Sequence, residues 1–153
     1  MNGTTLQALR LSLGYTPQEA AYMVAAVPLA TWKNWESNAQ PIPDEIKNTL
    51  RNLVSYKRQL IEEARGQLLR IYNVQGMPES LSLTYYGTES DWLTQQDATA
   101  VQWKPHCMAM AALAEEFPVI ELVLFDNNAY QSWLDGRMDS QLMRDQWASV
   151  VTR

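Results

Sequence analysis

Cysteine occurs once in the 153 residues, at Cys107, and histidine once, at His106. A lone cysteine excludes an intrachain disulfide and zinc sites built on cysteine pairs, and it fits a reducing cytoplasm. The two residues are neighbours, and neighbours on a helix point about 100° apart, so they form no nucleophile–base pair. Cys107 reads as a buried helix residue and His106 as a surface or cap residue. There is no glycine-rich phosphate loop and no HExxH. The carboxylate doublets Glu62/Glu63 and Glu115/Glu116 read as solvated helix faces. No apolar run approaches the ~20 residues of a membrane span. The opening MNGTTLQALR also lacks the basic-then-apolar order of a signal peptide. These absences argue against an enzyme, a metal or organic cofactor and a membrane protein. No small-molecule effector is evident.

What is present is a globular composition, 46% hydrophobic and 19% charged, enough for one domain or two small ones. The net charge of −5 is unevenly spread. Residues 1–70 carry eight basic groups against six acidic ones, while residues 71–153 carry four against eleven. Only the first half is suited to face a polyanion.

Helix signals dominate that half. TTLQALRLSL offers Thr4 or Thr5 as an N-cap, places Leu6, Leu9 and Leu13 at helical spacing, and stops at Gly14. TPQEAAYMV has Thr16 as N-cap, Pro17 at the first helical position and Glu19 at the third, which is a capping box. Pro28 opens a short helix over residues 29–37, with Asn38 suited to a left-handed end. From Pro43, apolar residues recur at helical period for roughly 30 residues, a length that usually links two units.

Beyond NVQGMPES the pattern changes. LSLTYY (81–86), TAVQW (99–103) and VIELVLFD (119–126) read as strands. The last is apolar on nearly both faces, hence central or paired at an interface. TESDWLTQ, capped by Thr88 or Ser90, and a helix opening at Pro105 lie between them. Two further helices follow, from Ala129 and Asp139. The expected fold is α+β. An N-terminal all-α helix-turn-helix bundle and its long linking helix occupy 1–73. A β-α-β-α-β unit plus terminal helices occupies 79–153.

In VPLATWKNWESN, Trp32 and Trp35 share one helix face by their i, i+3 spacing and belong to the core. Leu29, Ala30, Lys33, Asn34 and Ser37 lie on the free side. The pattern LRLSLGYTPQEAAYMV…TWKNWESN resembles the lambda-repressor-like (Cro/XRE-type) helix-turn-helix over residues 6 to about 53. That resemblance implies a largely buried ion pair between Arg10 and Glu36. It departs from the family at the second helix, where Pro17 leaves Gln18 to meet phosphate, and at the turn, where Ala25 stands for the usual glycine. A narrower match, WESNAQPIPDE, the long helix and then LSLTYY…DWL…VQWKPHCMAMAAL, resembles the YdiL-like, anti-CRISPR-associated regulators over roughly residues 5–117. Members are dimeric autorepressors with a C-terminal α+β dimerisation domain.

The resemblance implies a sequence-specific DNA-binding regulator, a homodimeric autorepressor of an inverted-repeat operator, cytoplasmic and nucleoid-associated. Its DNA-binding residues would be Gln18, Pro28, Leu29, Ala30, Lys33, Asn34, Ser37 and Gln40, and its scaffold Arg10, Trp32, Trp35 and Glu36. The strand 119–126 lies beyond the resemblance; its two apolar faces need cover, which by itself puts Val119, Glu121, Val123, Leu124 and Phe125 at the expected dimer interface. The alternative is a protein-interaction module or antitoxin that retains the helix-turn-helix scaffold, a reading the acidic second half supports.

Overall fold

The computed structural model describes residues 1–152. Its contacts separate two compact units, Met1–Leu60 with Ala100–Ala109, and Ile61–Thr99 with the chain from Met110 onward. The boundary expected at residues 73–79 follows linker composition, whereas these units follow packing.

In the first unit, α1 (Gly3–Ser12) is capped by Asn2, whose side chain accepts the Thr5 N–H at 2.9 Å, in place of Thr4 or Thr5. Gly14, at φ +83°, ends the turn after α1. The next helix, α2 (Pro17–Ala20), starts on the full capping box: Thr16 Oγ1 accepts the Glu19 N–H at 3.1 Å, and Glu19 Oε1 accepts the Thr16 N–H at 3.0 Å. Its last turn widens into a π-helical turn, Ala21–Ala25, held by Val27 N–H on the Ala21 carbonyl at 3.0 Å. Here the left-handed residue is Ala26 at φ +51°, one place beyond the Ala25 expected there. Left-handed alanine costs roughly 1–2 kcal/mol, which the surrounding packing offsets.

Two further helices follow in this half. They are α3 (Leu29–Glu36) and the first half of α4 (Asp44–Gln75). Ile46, Leu50 and Leu53 recur at i, i+4, i+7 along α4 and meet Leu6, Leu13, Tyr15, Ala20, Trp32 and Trp35 in one buried cluster. Each fully buried large apolar side chain contributes about 1.5–3 kcal/mol.

The expected strand at 99–103 is not one. Ala100–Gln102 forms a 3-10 turn that runs into α6 (Trp103–Glu116). The Val101 carbonyl accepts the Tyr15 hydroxyl instead of a ladder bond. Pro105, at the third position of α6, loses nothing there because the first N–H groups of a helix have no partner within it. The β-α-β-α-β expectation therefore reduces to two strands. His106 is also buried, at 8% exposure, not a surface or cap residue.

Burial pushes the His106 pKa down to about 4, which gives a testable pH dependence. Above pH 6.5 the imidazole is neutral in both folded and unfolded chains, and the full stability is present. As pH falls from 6.5 towards 4, the unfolded chain binds a proton that the folded chain refuses, so stability is lost, by about 3 kcal/mol in total. Urea unfolding at pH 7 and pH 4.5 should show a smaller loss for His106→Asn than for the wild type. Equal losses would place this pH dependence elsewhere.

In the second unit, β1 (Leu81–Tyr85) and β2 (Ile120–Leu124) form a two-stranded parallel sheet, with Leu81 opposite Ile120 and Tyr85 opposite Leu124. Parallel strands need a long crossover, and the chain supplies one through α5 (Glu89–Trp92) and α6. Thr88 caps α5. Two closing helices follow, α7 (Asn127–Leu134), capped by Asp126, and α8 (Gln141–Val151), capped by Ser140. The mixed α+β class stands. Tyr86, Trp92, Phe125, Tyr130 and Trp147 make an aromatic core, with ring centroids 5.1–6.1 Å apart in contacting pairs. Buried within it is Arg144, 1% exposed.

Candidate nucleic-acid interface

The site is built on α3, a helix of eight residues. A helix this short is marginal by itself, so its position depends on what its back face grips. Trp32 and Trp35 are buried there, their rings edge to face at 5.7 Å. Glu36 fastens the same face: its Oε1 accepts Arg10 Nε at 2.6 Å and Trp32 Nε1 at 2.7 Å. Arg10 also donates through Nη1 to the Tyr15 carbonyl at 2.9 Å. Arg10 and Glu36 side chains are only 5% and 12% exposed. The Arg10–Glu36 pair thus ties α1, the turn after it and α3 together.

The start of α1 and the end of α3 make a second close approach. A Cβ on Gly3 would lie 2.2 Å from the Glu36 carbonyl oxygen, so only glycine fits. Asn38, left-handed at φ +63°, turns its side-chain oxygen back to accept the Gly3 N–H at 2.8 Å. The sequence reading used Asn38 only for its backbone and overlooked Gly3. The visible signal was a glycine beside a helix cap. It also missed Lys104 Nζ, 3.5 Å from Glu19 Oε2 in this unit.

With its back so fixed, α3 turns Ala30, Lys33 and Ser37 outward, all exposed, while Leu29 and Asn34 are half-buried. Pro28 is the exposed cap residue of α3. Gln18 is exposed in the first turn of α2, and Gln40 in the turn after α3. These residues come from three consecutive segments of one unit. Tyr22, one turn beyond Gln18 and 75% exposed, joins that set without having been expected. Arg51 and Arg58 are exposed cations of the same unit, whereas Lys57 turns inward to the Ser12 carbonyl at 2.7 Å.

The residues expected at a dimer interface divide. Glu121 and Leu124 are exposed, Leu124 at 65%, and Val119 and Val123 are half-buried. Phe125 is 3% exposed and packs within its own unit against Tyr86, Tyr130 and Trp147. Among the described residues, no cluster of three His, Cys, Asp or Glu could hold a metal, and no helix is long and apolar enough to cross a membrane.

Comparison with known proteins places these elements in one lineage. The chain is 29% identical over 80 residues to the Aca2 repressor of Pectobacterium phage ZF40, a match that covers 48% of this chain and 69% of that protein. The family model described as Aca2/YdiL-like matches residues 1–120, which takes in the whole helix-turn-helix, the long α4, β1 and the start of β2. By that match, the chain belongs to the Aca2/YdiL-like family.

Proposed function

We propose that this protein is a sequence-specific DNA-binding regulator, a cytoplasmic repressor that acts as a homodimer on an inverted-repeat operator, and not an enzyme. The observation that carries the reading is the division of α3. Its tryptophan face is locked by Arg10 and Glu36, and its opposite face presents Lys33, Asn34, Ala30 and Ser37. The name of the phage relative, a repressor, supports the direction of regulation.

A helix held by its back and bearing Ala30, Lys33, Asn34 and Ser37 on its front suits the major groove. Lys33 donates to guanine, Asn34 pairs with adenine through its amide, and Leu29 and Ala30 meet thymine methyls. Gln18, Ser37, Gln40 and the backbone at Pro28 position the protein on phosphates. Few cations face outward in this unit, so the salt dependence of binding should be shallow, each neutralised phosphate adding about −0.9 to the slope. A two-fold dimer would set the half-sites ~34–36 Å apart.

The test is a gel shift with the DNA upstream of the protein's own gene. The double substitution Lys33→Ala with Asn34→Ala is expected to lose the preference for the inverted repeat over scrambled DNA, with the circular dichroism spectrum unchanged. Retained preference would remove α3 as the reading element and favour the interaction-module reading, which the acidic second half supports.

A further inference from the structure

The two edges of the β1–β2 sheet are treated differently. Leu81 donates its N–H to the Val119 carbonyl, and Phe125 donates to the Tyr85 carbonyl. Backbone groups alternate along a strand, so Val119, Glu121, Val123 and Phe125 face β1. Ile120, Leu122 and Leu124 turn theirs to the opposite edge. On β1, the outer edge is closed by α8: Asp145 Oδ1 accepts the Thr84 N–H at 2.9 Å and the Thr84 hydroxyl at 3.0 Å, and Thr152 meets Ser82 at 3.0 Å. On β2, the Ile120 N–H is taken by the Phe117 carbonyl at 2.9 Å. The Leu122 and Leu124 N–H groups have no such partner among the described residues. Open edges are normally blunted by lysine, proline or a bulge. Residues 120–124, IELVL, contain neither lysine nor proline, and their register with β1 is unbroken.

We propose that the outer edge of β2 is the dimer contact, and that it pairs antiparallel with β2 of a second copy about a two-fold axis at Leu122. The proposal rests on the dimeric reading above and specifies its geometry. In this register the two strands overlap over their whole length. Each Leu122 N–H meets the Leu122 carbonyl of the other copy, and each Leu124 N–H meets an Ile120 carbonyl, the acceptor left over once the Ile120 N–H has turned to Phe117. Leu124, 65% exposed in the single chain, comes to lie beside Ile120 of the other copy. Glu121, the one charge on the strand, falls opposite Val123.

Neighbouring registers are worse. An axis at Glu121 sets two carboxylates face to face, which destabilises a sheet. An axis at Val123 leaves Ile120 beyond the end of its partner strand. The second copy is therefore the occupant that suits this edge, because the strand matches its own hydrogen-bonding groups in a register that keeps the two Glu121 carboxylates apart. The product is a continuous sheet in the order β1, β2, β2 of the other copy, β1 of the other copy.

Three single variants, Glu121→Cys, Leu122→Cys and Val123→Cys, test this on the full chain under mild diamide oxidation, with light scattering of the wild type alongside. The wild type, whose Cys107 is buried, is the control for cross-linking. Directly opposed residues in a hydrogen-bonded antiparallel pair have Cα atoms about 5.5 Å apart, within disulfide reach, whereas diagonal pairs lie ~7–8 Å apart. The expected result is a covalent dimer for Leu122→Cys only. A dimeric wild type that cross-links through position 121 or 123, or through none, would overturn the edge pairing and leave the dimeric reading standing. A monomeric wild type would overturn both. Should Leu122→Cys not fold, amide hydrogen exchange on the wild type decides the matter. Protected Leu122 and Leu124 amides support the pairing, and fast exchange at both overturns it.

Discussion

Arg10→Met should lower the stability of the first unit by about 3–5 kcal/mol, the usual cost of leaving half of a buried ion pair behind. The substitution removes the donor that meets Glu36 Oε1 at 2.6 Å and strips the Tyr15 carbonyl of its 2.9 Å partner. Methionine fills most of the space of the arginine stem, so the loss is electrostatic and not a cavity. Glu36 keeps Trp32 Nε1 at 2.7 Å, which is too little to hold a charge only 12% exposed. For a unit of this size each kcal/mol moves the midpoint by about 4–8 °C, so the shift should exceed roughly 10 °C. Lys33→Ala, exposed on the other face of α3, should leave the midpoint where it is. Thermal unfolding followed by circular dichroism separates the two. Small, equal shifts would mean that water already solvates the pair.

Arg144→Met is the counterpart in the second unit. Burial opposes the charge of this guanidinium, yet its bonds to Asp139 and Tyr86 outweigh burial and raise its pKa further. It donates to Asp139 at 2.8 and 3.0 Å and to Thr94 Oγ1 at 3.0 Å. Its charge centre also lies 4.6 Å from the Phe125 ring and 5.1 Å from the Tyr130 ring. Asp139 is 36% exposed and so partly screened, which moderates the loss. Charged hydrogen bonds at about 1.5–3 kcal/mol and ring contacts at about 0.5–2 kcal/mol still add to roughly 3 kcal/mol. Arg144→Lys should recover only part of this, because an ammonium cannot serve both Asp139 oxygens and the rings in one geometry. Urea unfolding of the three proteins is the measurement. Full recovery by lysine would show that charge alone matters there.

The parts of the fold legible in the sequence are those written locally. The Thr16–Glu19 box, Pro17 inside it and the period of α4 are each written in neighbouring residues. The segment 99–103 failed because five residues are too few to carry a reliable period, and the decisive partner of Val101, Tyr15, lies 86 residues away. The pairing of Arg10 with Glu36 entered through family resemblance. No spacing rule links positions 26 residues apart. Gly3 and Asn38 escaped for the same reason, and Arg144 more completely. Its partners Tyr86 and Thr94 stand 58 and 50 residues away, and an arginine on an amphipathic helix normally announces a solvated face. Within α3 the reading divided the helix into a tryptophan face and a polar face, because helical geometry fixes which residues share a side once one face is assigned to the core.

Ala100–Ala109 packs with the first sixty residues, and this governs how the chain can be cut and how it is made. A fragment that stops at the linker near residue 76 contains α1, α2, α3 and α4. It nevertheless lacks the Val101 carbonyl that Tyr15 requires, the Lys104 amine beside Glu19 and the Met108 side chain that closes over Gly14. Such a fragment is an incomplete body. During synthesis the same holds in time. Domains generally complete themselves from the N-terminus as the chain emerges, but this one must wait until residue 109 has left the ribosome, by which point β1 and α5 are already outside. The first unit is first in sequence and not first to be finished.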